Sequence, residues 1–304
     1  MKIAIGTSLF AEEDRTPLER LEKAGIQVTL NPFRRKLTED ETIEFIRDVD
    51  GLIAGLEPLN RNVLSAAPHL KAIARVGSGM DNVDQVTAAE KGIKVSNTPE
   101  GPTDAVAEIT VSAMLTLARR LIPLNETMHA GTWKKIMGDG LSGTTIFIAG
   151  FGRIGRRVSE LLVPFRPKLI AYDPVLSDGP LPNGVQRVTL EEGLKRADII
   201  SLHVAGTARL IGPDEFCRMR DGVILLNSAR GALVDEPALI AALDSGKVRS
   251  AWFDVFPEEP YSGPLIRYPQ VMLTPHISSN TRQCRRDMES AAVSNILHDL
   301  GITI

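Results

Sequence analysis

Short apolar runs alternate with amphipathic segments along most of the chain. In the first hundred residues five apolar runs have the length of buried strands, and segments between them, such as 17–24 and 38–49, have the spacing of amphipathic helices. Strands that alternate with helices favour a parallel sheet covered by helices. The pattern therefore predicts a small α/β domain over residues 1–99, with strands at 2–6, 26–30, 51–54, 71–75 and 93–96.

The alternation resumes after a turn-rich segment at 97–102 and a helix that begins near Thr103 or Asp104. Six strands are predicted in this second block, at 145–149, 168–172, 198–203, 222–227, 250–254 and 271–274. A last amphipathic segment, 282–300, is predicted to form a helix. If that helix packs on the first block, the first domain is discontinuous, with residues 1–99 joined by 281–304, and the second block spans 100–280.

A glycine motif follows the strand at 145–149 and precedes a helical segment at 156–163: Gly150-Phe151-Gly152-Arg153-Ile154-Gly155. In a strand, turn and helix of this kind the first glycine permits the tight bend, the second admits a pyrophosphate, and the third allows close packing. Phosphate then meets the amides at the helix start. The motif predicts a dinucleotide site, although glycines in a loop also serve a turn alone.

Asp173 follows the next strand, 18 residues after Gly155. A carboxylate at this separation accepts hydrogen bonds from an adenosine ribose and repels a 2′-phosphate, which favours NAD over NADP. Asp173 also begins an Asp-Pro turn, and the two roles are compatible.

The predicted fold class is α/β. A Rossmann-type doubly wound parallel sheet domain, the NAD-binding domain at 100–280, is inserted into a smaller flavodoxin-like α/β domain.

Composition narrows the classes of function. The 304 residues, 43% of them hydrophobic, suffice for two cores. A net charge of −3 and a pI near 6.0 give no electrostatic reason to expect nucleic acid or a membrane surface as a partner. The chain opens on a strand and contains no apolar run of membrane-spanning length, so we expect a cytoplasmic protein. Cys217 and Cys284 lack metal-ligand spacing, and we expect free thiols and no metal.

Three chemically distinctive side chains follow the later strands. Arg230 comes after the strand at 222–227, Glu259 after 250–254 and His276 after 271–274. Carboxyl ends of parallel strands share one edge of a sheet, where such folds bind ligands. Hydride transfer between a nicotinamide and a carbonyl needs a proton donor, which suits histidine, and a cation that holds a carboxylate, which suits arginine. A glutamate bonded to the imidazole would fix its tautomer and stabilise the imidazolium. Taken singly, each residue also fits a structural role.

Together these motifs resemble the D-isomer-specific 2-hydroxyacid dehydrogenases, in particular short phosphoglycerate dehydrogenases. The resemblance runs from the segment Arg75-Val76-Gly77-Ser78-Gly79-Met80-Asp81-Asn82-Val83-Asp84 through the glycine motif to Thr274-Pro275-His276. It implies that the Arg of N-x-A-R-G, the Glu before Pro260 and the final His are catalytic, which are Arg230, Glu259 and His276. It also implies that the first domain binds substrate, with contacts from Arg75, Val76, Gly77, Ser78, Gly79, Arg230 and His276.

The resemblance further implies a set of residues that line the cofactor, in addition to the glycine motif: Ser78, Arg153, Ile154, Asp173, Ser228, Ala229, Arg230, Asp254, His276, Ser278 and Ser279. His203, at a strand end, is expected to be a cofactor-side or packing residue rather than a second catalyst. The long helix after Thr103, with Trp133 and the segment to Gly143, looks like the family's dimerisation arm and implies a homodimer.

Two departures keep the substrate open. Gly55 stands where many phosphoglycerate dehydrogenases carry an arginine for the substrate phosphate, and the loop 204–210 is shorter than usual. The sequence therefore predicts an NAD-dependent dehydrogenase of a small 2-hydroxy acid, either 3-phosphoglycerate dehydrogenase-like or a hydroxypyruvate or glyoxylate reductase. A protein of another class, an NAD-sensing corepressor-like binding protein, would share the dinucleotide site without needing the set Arg230, Glu259 and His276.

Overall fold

Two compact units make up the chain in the computed structural model, which describes residues 1–176 and 179–302. The first unit comprises Met1–Pro102 and Ser279–Ile304, and the second comprises Thr103–Ser278. Residues 177–178 of the predicted domain 100–280 and residues 303–304 of the predicted segment 281–304 lie outside the described residues. The junctions of the two units stand within three residues of 99/100 and 280/281, where the sequence predicts the domain boundaries.

The first unit contains a five-stranded sheet in which all strands are parallel, in the order β2-β1-β3-β4-β5. This is the flavodoxin-like order. Its strands are β1 (Lys2–Ile5), β2 (Gln27–Leu30), β3 (Gly51–Ala54), β4 (Ala72–Arg75) and β5 (Lys94–Asn97). The central strand β3 is buried along its whole length, as a run of Gly, Leu, Ile and Ala permits.

The second unit contains a seven-stranded parallel sheet in the order β12-β11-β10-β9-β6-β7-β8. Its strands are β6 (Thr145–Ala149), β7 (Lys168–Tyr172), β8 (Gln186–Arg187), β9 (Ile199–Leu202), β10 (Val223–Asn227), β11 (Val248–Phe253) and β12 (Val271–Leu273). The sequence predicted six of these strands. Strand β8 is two residues long and offers no apolar run, so the hydrophobic pattern could not indicate it.

Eleven α-helices of the described residues surround the sheets. They are α1 (Thr16–Lys23), α2 (Glu39–Ile46), α3 (Arg61–Ser65), α4 (Gln85–Glu90), α5 (Pro102–Ala118), α6 (Leu121–His129), α7 (Arg153–Leu162), α8 (Leu190–Arg196), α9 (Pro213–Arg218), α10 (Glu236–Asp244) and α11 (Arg282–Asp299). Side-chain caps set several starts; Thr38 and Thr189 each form a capping box with the glutamate three residues on. Among the described residues, no helix is both long and apolar enough to cross a membrane.

Helix α11 explains why the first unit is discontinuous in sequence. Its apolar side, including Met288, Ala292 and Ile296, is buried and packs on β3, β4 and β5. Asn295 donates a hydrogen bond from Nδ2 to the carbonyl oxygen of Asn97 at 2.9 Å. The end of the chain thus completes the core begun by its first hundred residues.

Candidate active site

The glycine turn of the second unit is shaped by close backbone approach. Gly150 has a φ of 95°, and a Cβ on it would lie 2.4 Å from the carbonyl carbon of His203. A Cβ on Gly155 would lie 2.1 Å from the Gly150 oxygen, so α7 could not pack against the turn. A Cβ on Gly152 would meet no atom within 4 Å. The first and third glycines are therefore needed for the fold, whereas the second borders open space at the start of α7.

Asp173 lies beside this turn because β7 pairs with β6. Its Oδ2 accepts a hydrogen bond from the Phe151 amide at 2.8 Å, and its Oδ1 accepts one from the Val175 amide at 3.0 Å. The residue is half-buried. The carboxylate predicted to meet a ribose is thus fixed at the glycine turn itself.

These residues fit a bound dinucleotide. The open space at Gly152 adjoins the first amides of α7, where a pyrophosphate is stabilised by N–H donors and by the helix dipole. The hydroxyl of Ser228 is buried and has no hydrogen-bond partner among the described residues. Because a buried polar atom without a partner is costly, Ser228 is suited to meet a bound ligand. Arg153 and Ile154 form the first turn of α7, beside the same space.

His276 and Glu259 form a hydrogen-bonded pair. The Nδ1 atom of His276 lies 2.8 Å from Oε2 of Glu259, and the Phe256 amide donates to Oε1 of Glu259 at 3.0 Å. The two side chains retain 35% and 28% of their exposure, so the pair is partly shielded yet open to a ligand. A carboxylate accepts only, which assigns a proton to Nδ1 and directs Nε2 away from the pair. The pair thus has the arrangement of an oriented general acid.

Asp254 fixes the backbone that carries His276. Its buried carboxylate accepts from Thr274 Oγ1 at 2.6 Å, from the amides of Ile277 and Ser278 at 2.9 and 2.8 Å, and from the Ser278 hydroxyl. Its carbonyl oxygen accepts from the His276 amide at 2.8 Å. His276 has a φ of 53°, rare for a residue with a side chain, and this network stabilises it. Asp254 and Ser278, both predicted to line the cofactor, bond to each other.

Arg230 follows β10 on a turn held from both sides. Asn227 donates from Nδ2 to the Arg230 carbonyl oxygen at 2.8 Å and accepts from the Ala229 amide at 3.1 Å. The Nη1 atom of Arg230 donates to the Ala229 carbonyl oxygen at 2.7 Å. A Cβ on Gly231 would lie 2.0 Å from the carbonyl carbon of Phe256, so this glycine lets the Arg230 turn approach the loop that leads to Glu259. Asn227 and Gly231 are the first and last residues of the N-x-A-R-G motif, but the sequence analysis assigned neither of them a role in the site.

His203 has a different environment from His276. Its Nε2 lies 2.8 Å from Ser201 Oγ, and its amide donates to the Ala149 carbonyl oxygen at 2.6 Å. Burial lowers the pKa of His203 to about 4, so the ring is neutral near pH 7. Its backbone also abuts Gly150. These contacts favour the packing role for His203.

The loop predicted to bind substrate lies in the first unit, at the end of β4. The Val76 amide donates to the Ala54 carbonyl oxygen at 2.8 Å, and the Gly77 amide donates to Thr98 Oγ1 at 2.7 Å. Asn97 Nδ2 donates to the Ser78 carbonyl oxygen at 2.7 Å. Arg75 Nη1 donates back to the Val76 carbonyl oxygen. The loop is thus held at both ends by the neighbouring strands β3 and β5. Ser279 opens the segment that returns to this unit, next to Ser278.

Comparison with known proteins decides the family. Residues 111–278 match the model of the D-isomer specific 2-hydroxyacid dehydrogenase NAD binding domain. The chain belongs to this family of dehydrogenases. It is therefore an NAD-dependent oxidoreductase that acts on CH–OH groups, and the predicted family, α/β fold class and cofactor are confirmed.

Relatives within the dehydrogenase family carry different substrate names. A hydroxypyruvate reductase of Thermotoga maritima is 37% identical over 297 residues, which cover 93% of this chain and 96% of that protein. The D-3-phosphoglycerate dehydrogenase of Homo sapiens is 37% identical over 273 residues, 87% of this chain, and the chain spans about half of its length, 51%. The crystal structure of a glyoxylate reductase from Paecilomyes thermophila superposes with a TM-score of 0.88 at 30% identity, covering 100% of this chain and 97% of that one. Similarity alone does not select among these acids.

Proposed function

We propose that the protein reduces a small 2-oxo acid at C2, and oxidises the corresponding D-2-hydroxy acid, with the nicotinamide of NAD supplying or accepting the hydride. The observation that carries this proposal is the contact of 2.8 Å between His276 Nδ1 and Glu259 Oε2, at the carboxyl edge of the sheet whose glycine turn fits the dinucleotide. Hydroxypyruvate, glyoxylate and 3-phosphohydroxypyruvate are the candidate acids, because relatives named for the first two acids and for 3-phosphoglycerate, the reduced form of the third, match the chain comparably.

The proposed roles follow from the chemistry of each group. In the reductive direction His276 gives its Nε2 proton to the carbonyl oxygen as negative charge develops there, and ends as neutral imidazole. Glu259 accepts from Nδ1 throughout, which fixes the ring and stabilises its protonated form. Arg230 holds the substrate carboxylate or carbonyl oxygen through its planar fork of donors. Asp254 acts through the loop of His276 and is a positioning residue.

The substrate loop is proposed to contribute backbone donors. The amides of Val76 and Gly77 already donate to Ala54 and Thr98. We therefore assign the carboxylate contact to the amides of Ser78 and Gly79, which follow in the same loop. The first unit, residues 1–99 with 281–304, is proposed as the substrate-binding domain.

The mechanism is tested by replacing members of the proposed pair. His276→Ala should lower turnover by a factor on the order of 100 or more, since general acid catalysis contributes about 10²–10⁴-fold, while NADH affinity persists. Glu259→Gln should lower turnover less than His276→Ala does, because the ring remains but loses its charged partner. Glu258→Gln is the matched control, an exposed neighbouring carboxylate, and should behave as the wild type. Unchanged turnover in His276→Ala would refute the mechanism.

A homodimer is proposed from an exposed apolar surface of the second unit. Leu121, Met128, Trp133 and Met137 in and after α6 are exposed, the last two at 81% and 90%. Large apolar side chains clustered on one segment favour burial against another chain, and a second copy is the partner that the family resemblance implies. A mass of about twice 33.0 kDa by light scattering is expected, and Trp133→Glu with Met137→Glu should shift it towards one chain. A monomeric wild type at micromolar concentration would exclude the dimer.

A further inference from the structure

The first sheet has a crevice of the kind that binds ligands in related folds. In its order, β2-β1-β3-β4-β5, the direction of winding reverses between β1 and β3. Open parallel sheets bind their ligands outside the carboxyl ends of the strands at such a reversal, and the flavodoxin-like order places a phosphorylated ligand between β1 and β3. Gly6 follows β1 and Gly55 follows β3, so these two glycines border the crevice.

The side chain of Glu57 fills this crevice. The residue is only 1% exposed. Its two carboxyl oxygens lie 3.0 and 2.9 Å from the Gly55 amide, which donates to them. A Cβ on Gly6 would lie 2.0 Å from Oε1 of Glu57, and a Cβ on Gly55 would lie 3.0 Å from its Oε2. Gly6 is therefore required to make room for the carboxyl group, and a Cβ on Gly55 would also lie 2.9 Å from the Cα of Thr7.

The pKa of Glu57 reflects its burial and the charges around it. Burial raises the pKa of the Glu57 carboxyl, while its own amide, the Gly55 amide and the charges of Arg75 and Lys36 act in the opposite direction. Arg75, the first residue of the substrate loop, donates a hydrogen bond from Nη1 to the Val76 carbonyl oxygen. One guanidinium nitrogen of Arg75 is thus bonded within its own loop.

Hydrogen bonds link the Glu57 segment to the proposed substrate loop within the first unit. Asn82 Nδ2 donates to the carbonyl oxygens of Glu57 and Gly55 at 2.7 and 3.3 Å. The Val76 amide donates to Ala54, the residue before Gly55. The filled crevice therefore adjoins the loop at 75–79, where the carboxylate of the substrate is proposed to bind.

We propose that Glu57 makes this enzyme selective for short, unphosphorylated 2-oxo acids by occupying the place and the Gly55 N–H donor that the phosphate of a longer substrate would need. The inference rests on the proposed function and narrows its substrate class. A phosphate needs N–H donors or cations and space, and here the space is filled by acceptor oxygens. Glyoxylate and hydroxypyruvate carry no phosphate that would have to enter the crevice, whereas 3-phosphohydroxypyruvate carries one.

The test compares kcat/KM for hydroxypyruvate and 3-phosphohydroxypyruvate in the wild type, in Glu57→Ala and in the control Glu44→Ala, whose carboxylate is exposed in a surface pair with Arg47. The wild type and the control should favour hydroxypyruvate. Glu57→Ala should shift the ratio towards the phosphorylated acid by roughly tenfold or more, the scale on which a pocket discriminates by one group. Inorganic phosphate should then also inhibit the variant competitively against hydroxypyruvate.

Each outcome has a distinct meaning. A wild type that turns over both acids but favours the phosphorylated one overturns the inference and leaves the proposed function intact, and this result needs no variant to fold. An unchanged ratio in a folded Glu57→Ala also overturns the inference. Absence of turnover with every 2-oxo acid would refute the proposed function itself, and the inference with it.

Discussion

The two sheets of this protein use the same architecture in opposite ways. In the second unit, Gly150 and His203 meet where β6 and β9 end, and the turn leaves open space beside Gly152. In the first unit, Gly6 and Gly55 follow the paired strands β1 and β3, and the carboxyl group of Glu57 takes the space beside both glycines. Glycines border both crevices, so glycine alone does not mark a ligand site. What differs is whether the chain fills the crevice with a side chain of its own.

The largest expected effect concerns the open crevice. Gly152→Val should weaken NADH binding roughly 10- to 100-fold, because hydrogen bonds to charged groups contribute about 1.5–3 kcal/mol and the new side chain would enter the phosphate space. Thermal stability should hardly change, since a Cβ on Gly152 meets no atom within 4 Å. Gly140→Val, at another open glycine of the second unit, is the control. Titration of NADH by fluorescence checks the prediction, and undiminished affinity would mean that the space at Gly152 does not hold the dinucleotide.

The next effect concerns the filled crevice. Gly6→Ala should destabilise the first unit by about 1–3 kcal/mol, as overpacking of a close-packed interior does, because the added Cβ overlaps Glu57. Adding Glu57→Ala to Gly6→Ala should restore part of that loss. Chemical denaturation of the wild type, the single variant and the double variant measures the loss of stability and its recovery. A Gly6→Ala protein as stable as the wild type would show that Glu57 does not fill the crevice in solution.

The smallest effect is a pH dependence of stability. Because the folded-state pKa of Glu57 is raised above 4.5, its contribution to stability is present in full below about pH 4.5 and is lost as pH rises through the raised value. Glu57→Gln remains neutral and should gain a few degrees in Tm relative to the wild type as pH increases from 5 to 8. Glu289, another buried acid with a raised pKa, is present in both proteins, so its contribution cancels in the difference between their Tm values. If the difference in Tm between Glu57→Gln and the wild type did not change with pH, the pKa of Glu57 would not be raised in the folded protein.

The sequence predicted those parts of the molecule that depend on neighbours along the chain. The strand, turn and helix around Gly150 follow from local patterns, and the shared edge of a parallel sheet brings an arginine, a glutamate and a histidine together. The family resemblance then selected Arg230, Glu259 and His276 as the catalytic candidates. The hydrogen bond between Glu259 and His276 could also be expected from chemistry, because a histidine that donates a proton is stabilised by a carboxylate that accepts from its ring.

Features that depend on distant segments could not be predicted in this way. The role of Glu57 arises only when Gly6 and Gly55, 49 positions apart in sequence, come together at adjacent strand ends. The sequence singled out Gly55 for the arginine it lacks, but gave no sign that Glu57 occupies the same place. Likewise the Asp254 carboxylate accepts hydrogen bonds from residues 274–278, some twenty positions later in the sequence. The predicted set of cofactor-lining residues does not reveal these bonds.

Hydride transfer to C2 of a short 2-oxo acid, with formation of the D-2-hydroxy acid, can be measured in a single reaction. Purified protein is mixed with NADH and hydroxypyruvate, and NADH consumption is followed while the configuration of the glycerate formed is determined. One molecule of D-glycerate is expected for each NADH consumed. Binding of NADH without its consumption in the presence of hydroxypyruvate, or formation of L-glycerate, would contradict the proposed reaction.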